Sequence, residues 1–148
     1  MNADDSSHRD TASATPHEVW LLISDLVLDN ERRREVSEAL GIGFGRTRAL
    51  RRLARQPMSM GELAAALGID PPNATVVVDD LESLKLARRR PHPTDRRAKV
   101  VEATRKGKEM ARRADAILGT PPPALSSLST DDLEALRRIL KSVLSDRK

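Results

Sequence analysis

Apolar residues recur at helical spacing through most of the chain, and the polar residues between them mark where helices begin and end. Val19, Leu22, Ile23, Leu26 and Val27 form one stripe, which Val36 and Leu40 extend to Gly41. Thr15 is placed to cap this run, with Pro16 at the first helical position and Glu18 completing a capping box. The pattern predicts one long helix there. A second helix is predicted over Phe44–Arg55, burying Leu50 and Leu53 and exposing Arg46, Arg48, Arg51, Arg52 and Arg55.

A third helix begins at Ser59, where Ser59 and Glu62 form another capping box and Met58 and Leu63 can staple the start. Leu63, Ala64 and Leu67 make its inner face, and Gly68 ends it. Asp70 then caps a fourth helix with Pro71 first, running to about Lys85. Its segment Thr75-Val76-Val77-Val78 favours strand by propensity. The spacing of Ala74, Val77, Val78, Leu81 and Leu84 argues for helix instead. A small residue (Ala64), a glycine turn (Gly68) and flanking apolar residues suit two short helices crossing steeply, as in a helix-turn-helix.

Beyond Leu86 the period changes. Leu86–Arg90 and Lys99–Ala103 flank a proline-rich, charged tip, which predicts a two-stranded hairpin. Thr104 caps a helix through Leu118, the run Gly119-Thr-Pro-Pro-Pro breaks the chain, and Ser129 caps a last helix to about Ser145. Leu133, Leu136, Leu140, Val143 and Leu144 line one face of that helix, and Leu128 with Leu133 can staple its start.

Charge sharpens the picture. Between Leu86 and Arg113 eleven basic residues face only Asp95, Glu102 and Glu109, whereas up to Asn30 six acids face Arg9 alone. A basic block beside an acidic one suggests a localised polyanion-binding surface. If the fourth helix enters the major groove of DNA, its outward residues Pro72, Thr75, Val76, Asp79 and Ser83, flanked by Asn73 and Asp80, are the ones placed to meet bases. Val76 and the Thr75 methyl suit thymine, Asn73 suits adenine, and Asp79 can accept from cytosine N4. With no arginine on this face, an A/T-leaning recognition core is expected. Asp79 and Asp80 are also expected to pair with nearby arginines, because a carboxylate near phosphates is repelled.

At the hairpin, Arg96 or Arg97 is placed to enter a narrow minor groove, with Asp95 orienting its guanidinium through a bidentate pair. Arg88, Arg89, Arg90, His92 and Lys99, together with Ser59, complete the candidate DNA-contacting set, the first five facing flanking phosphates.

Leu81-Glu82, Arg89, Asp95-Arg96-Arg97 and Thr104-Arg105-Lys106-Gly107 together resemble the pattern of the MarR family of bacterial regulators. The resemblance implies a mainly α fold with a small β-hairpin wing: a winged helix-turn-helix over 44–104, with dimerisation helices at 16–43 and 105–148. In such proteins the terminal helices intertwine into a homodimer on double-stranded DNA. Val19, Leu22, Ile23, Leu26, Leu136, Leu140 and Val143 are the candidates here, and half-sites about 10–10.5 bp apart follow. A small-molecule effector is implied as well, in a region drawing on Trp20, Ile23, Phe44 and Leu50, although one Trp, one Phe and no Tyr supply little for aromatic stacking. Two positions depart from the pattern: Val76, where the family often has a basic residue, and Lys85, where it usually has glycine. A left-handed lysine costs roughly 1–2 kcal/mol, so a different helix end is expected.

Other classes fit poorly. The chain has no cysteine, and its three histidines, His8, His17 and His92, are not spaced for a catalytic triad or a metal site, so neither an enzyme nor a cofactor is expected. The polar segment 1–15 reads as a disordered tail without the apolar core of a signal peptide, and no stretch approaches a membrane span, which points to the cytoplasm. The alternative reading is a winged-helix module for protein interaction or for sequence-tolerant architectural DNA binding.

Overall fold

The computed structural model describes residues 13–28 and 31–146, so the first twelve residues of the anticipated tail, His8 included, lie outside the described residues. The chain divides into two compact units, Met1–Asn30 and Glu31–Lys148.

In the first unit α1 spans Pro16–Leu28. Its cap forms as the sequence indicates: the Glu18 amide donates to Thr15 Oγ1 (3.2 Å), and the Thr15 amide donates back to Glu18 Oε2 (2.8 Å). The Thr15 amide bond, joined by one from the Thr15 hydroxyl to the same oxygen (3.0 Å), holds the Glu18 carboxyl below its ordinary value. No residue of α1 is buried; Val19, Trp20, Leu22 and Leu26 are exposed and Ile23 is half-buried.

The second unit opens with α2, Arg32–Leu40, which corrects the expectation of one helix from Pro16 to Leu40. Positions 29–35 carry no apolar side chain, so no continuous stripe spans the two segments. Val36 and Leu40 instead point into the core of this unit. Gly41, at φ 69°, ends α2 in the left-handed conformation. Next come α3 (Phe44–Arg55), β1 (Met58–Ser59), α4 (Met60–Leu67), α5 (Pro71–Ser83), β2 (Ala87–Pro91) and β3 (Lys99–Ala103). They are followed by α6 (Arg105–Leu118), α7 (Pro123–Ser126) and α8 (Thr130–Ser145).

The three strands form one antiparallel sheet in the order β1-β3-β2. The expected two-stranded hairpin forms as β2 and β3, and an unanticipated third strand joins it, Met58 and Ser59 pairing with Val101 and Val100. The short α7 was likewise unanticipated, and Pro123 opens it. Leu50, Leu53, Leu63, Leu81, Leu86, Val36, Val78 and Val101 are the largest apolar side chains in the core, each almost wholly buried. Removing such a side chain from water stabilises the fold by about 1.5–3 kcal/mol. α6 packs on α2 and α3 with Gly107, Ala111 and Ala114 buried. α8 buries nothing: Leu133, Leu140, Val143 and Leu144 are exposed and Leu136 is half-buried. Among the described residues no helix is long and apolar enough to cross a membrane.

Candidate nucleic-acid interface

Two caps and a glycine turn set the crossing of α4 and α5. Ser59 Oγ accepts from the Glu62 amide (3.1 Å) and Glu62 Oε2 accepts from the Ser59 amide (2.8 Å). Gly68, at φ 68°, turns the chain, and Asp70 Oδ1 then accepts from the Asn73 amide (2.8 Å) to start α5 behind Pro71. Ala64, Leu67, Ala74, Val78 and Leu81 are buried where the two helices meet the core. Packing overrides the strand propensity of the Val76–Val78 run.

The opposite side of α5 is open. Pro72, Asn73, Thr75, Val76, Asp79 and Ser83 are all exposed, Val76 at 53%. Several of their polar groups are already engaged. Asn73 Nδ2 donates to Asp70 Oδ2 (2.7 Å), and the Thr75 hydroxyl donates to the Pro71 carbonyl (3.1 Å). Asp80 is held by Arg46 and Asp79 by Arg89 (2.8 Å), the pairing expected for both carboxylates. Leu84, expected on the inner face, is 43% exposed; α5 ends at Ser83, and the cap residue Leu84 turns outward.

The exit from α5 explains the Thr-x-x-Gly motif. Lys85 does adopt the left-handed conformation, at φ 59°, which corrects the expectation of a different helix end. Its amide donates to the Glu82 carbonyl and the Leu86 amide to the Leu81 carbonyl, both at 2.8 Å, which makes a Schellman turn. Three bonds clasp that turn to the start of α6. Thr104 Oγ1 donates to the Lys85 carbonyl (2.7 Å), the Thr104 amide to the Leu86 carbonyl (3.0 Å), and Lys106 Nζ to the Leu84 carbonyl (3.2 Å). The backbones approach so closely that a Cβ on Gly107 would lie 2.0 Å from the Leu86 carbonyl oxygen.

The wing has two electrostatic regions. At its base, Arg89 pairs with Asp79 and with Glu82 (2.5 Å), so it ties β2 to α5. The Asp79 hydrogen bond leads in raising the Arg89 pKa above its ordinary value. Arg88 and Arg90 converge on Glu102 of β3 (2.7 and 2.8 Å), chiefly the Arg88 bond holding that carboxyl below the usual range. Arg88, Arg89 and Arg90, expected on phosphates, are thus each engaged by carboxylates of their own chain. At the tip, Asp95 does not hold a guanidinium, contrary to expectation. Its Oδ1 accepts from the Arg97 backbone amide (3.0 Å), while His92 Nδ1 accepts from the amides of Thr94 and Asp95 (both 3.2 Å). The short bend between β2 and β3 places Asp95 where a backbone amide is its nearest donor. The side chains of Arg96, Arg97 and Lys99 are exposed and have no ion-pair or hydrogen-bond partner among the described residues.

Elsewhere, Arg46, Arg48, Arg51 and Arg52 are half-buried and only Arg55 is exposed, correcting the exposed arginine row anticipated on α3. Arg46 reaches Asp80, and Arg51 reaches Asp115 on α6. Leu50, anticipated in an effector pocket, is instead a core residue at 1% exposure beside Gly107. Phe44 lies half-buried with the Arg33 guanidinium 4.9 Å from its ring centre. Glu102 and Lys106 were missed. Glu102 was within reach of sequence reasoning, because the register that pairs Ala87 with Ala103 sets it opposite Arg88.

The arrangement of α4, α5 and wing has clear relatives. The MarR family pattern matches residues 40–98. The transcriptional repressor MprA of Escherichia coli is 32% identical over 124 residues, which cover 78% of this chain and 68% of MprA. This chain belongs to the MarR family.

As a MarR-family protein it is a transcriptional regulator with a winged-helix fold. The crystal structure of apo MarR from E. coli superposes with a TM-score of 0.73 at 20% identity, covering 88% of this chain and 98% of that one. A single-site mutant of MepR from Staphylococcus aureus, bound to an oligodeoxyribonucleotide, superposes at 0.60 with 22% identity, covering 91% and 99%.

Proposed function

We propose that this MarR-family regulator is a repressor that binds a pseudo-palindromic DNA operator as a homodimer. In this reading α5 lies in the major groove and Arg96 or Arg97 in the minor groove, and a small-molecule effector releases the complex. The observation that carries it is the open face of α5 beside two unpartnered arginines at the wing tip. The arginines supply attraction to a narrow, electronegative groove, and the face supplies contacts to base edges. Support for the homodimer comes from α1 and α8, neither of which buries a residue and whose apolar side chains are largely exposed. One short reading helix also contacts too few bases alone, and two-fold symmetry doubles them.

Selection of bound sites from random DNA tests the reading. The expected product is two A/T-leaning half-sites about one helical turn apart, preferred over competitor DNA by about 10³-fold or more. A G/C-only core overturns the contacts assigned to Thr75 and Val76. Binding without sequence preference supports an architectural role instead, and absence of binding supports a protein-interaction module. A single-chain mass in light scattering at every concentration overturns the dimer.

A further inference from the structure

A groove of about 510 Å³ lies between the sheet and α6, lined by Arg88, Glu102 and Ala103 of the strands, Thr104 at the cap, and Arg105, Lys108 and Arg112 of α6. Four of these seven residues are cations, and the one carboxylate, Glu102, already accepts from both Arg88 and Arg90. Arg105 has a long pairing with Glu109 (3.6 Å), while the side chains of Lys108 and Arg112 are exposed and without a partner among the described residues. Arg105, Lys108 and Arg112 recur at three- and four-residue steps, so they share one face of the helix. Clustered like charges repel one another, and the repulsion is relieved when a multivalent anion binds among them.

The groove is separate from the face that α5 presents. Side chains alternate along a strand, so Arg88 and Glu102, paired in register, project on one side of the sheet. Arg89 projects on the other, where it grips Asp79 and Glu82 of α5. The groove contains no aromatic side chain, so nothing in it stacks on a base or ring. Recognition there rests on charge and on the forked donors of two or three arginines, which match phosphate oxygens.

We propose that this groove is a binding site for the di- or triphosphate group of a small phosphorylated ligand, held by Lys108 and Arg112 with Arg88 and Arg105 flanking. The assignment does not depend on the DNA reading.

Calorimetric titration of the full chain with inorganic pyrophosphate and tripolyphosphate provides the test, with Lys108→Ala/Arg112→Ala and Arg96→Ala/Arg97→Ala double variants alongside. Saturable binding is expected, tighter for tripolyphosphate. The Lys108/Arg112 variant should weaken it at least about tenfold, since two charge-assisted hydrogen-bond donors are removed, and the tip variant should leave it unchanged. Thermal unfolding of the Lys108/Arg112 variant should match the parent, because neither side chain has a partner to lose. No saturable binding by the parent, or equal binding by the Lys108/Arg112 variant, overturns the site. So does a variant that loses DNA affinity and salt dependence while the parent ignores both phosphates, since the groove would then be a contact for the nucleic-acid backbone.

Discussion

The base and the tip of the wing carry the same residue type in opposite states. Arg88, Arg89 and Arg90 at the base meet Asp79, Glu82 and Glu102 within 2.8 Å, whereas Arg96 and Arg97 at the tip meet no acid among the described residues. Sequence composition cannot separate them, because all five lie in one basic block. Neighbours separate them: three carboxylates project from α5 and β3 toward the base, and the single acid of the tip, Asp95, is taken by a backbone amide. A basic run is thus two devices, one joining structural elements and one left available to a partner. The base should govern stability and the tip should govern association.

The largest effect expected on this division is at Gly107, where the base is clasped to α6. Gly107→Ala forces a Cβ against the Leu86 carbonyl and should cost about 3 kcal/mol, a typical upper value for overpacking. That corresponds to a fall of roughly 6–12 °C in Tm for a chain of this size, readable by calorimetry. Arg89→Ala follows. It leaves Asp79 and Glu82 without their cation and should cost about 1–2 kcal/mol of stability, a range discounted for solvent access. If its Tm equals the parent's, the base is not structural.

Arg96→Ala/Arg97→Ala should show the reverse profile. Its stability should stay within about 0.5 kcal/mol of the parent, while DNA affinity falls about tenfold and the salt slope shallows by about 1 for each phosphate no longer neutralised. A fall in stability with unchanged affinity would merge the two regions. Lys85→Gly relieves the left-handed backbone at the exit of α5 and should add about 1 kcal/mol in chemical denaturation. The smallest effect is with pH. The folded-state pKa of Glu102 is depressed, so its stabilisation is complete above the unfolded value of about 4.3 and is lost as pH falls through the folded value. Stability should therefore be insensitive to this group from pH 7 to about 5 and decline below about 4, and Glu102→Gln should remove that share of the decline.

What was legible in the sequence was local. The caps at Thr15, Ser59, Asp70, Thr104 and Ser129 each involve residues three apart, and every one forms. The glycine turn at Gly68 and the buried face of α5 follow from the same short-range logic. What was illegible depends on distant partners. β1 is two residues long and exists only because β3 lies beside it, so no periodicity announces it. The arginines of α3 carry no mark of Asp80 or Asp115, and nothing next to Asp95 signals that a backbone amide outcompetes a guanidinium. Lys85 illustrates a different limit. Its intrinsic preference opposes the left-handed turn, but five backbone and side-chain hydrogen bonds around residues 81–86 hold the turn regardless. The open face of α5 was readable from helical spacing, whereas the engagement of its Asp79 by Arg89 required the fold.

Arg89 has one more implication. By holding Asp79 and Glu82 on α5 from a position on β2, it fixes the angle between helix and hairpin as a brace fixes the opening of a jaw. The opening is set when the chain folds, so the entropy of orienting the two parts is lost then, and not at the encounter. A partner that spans both meets a gauge of preset width, which favours targets of matching curvature and penalises those that must be bent to fit.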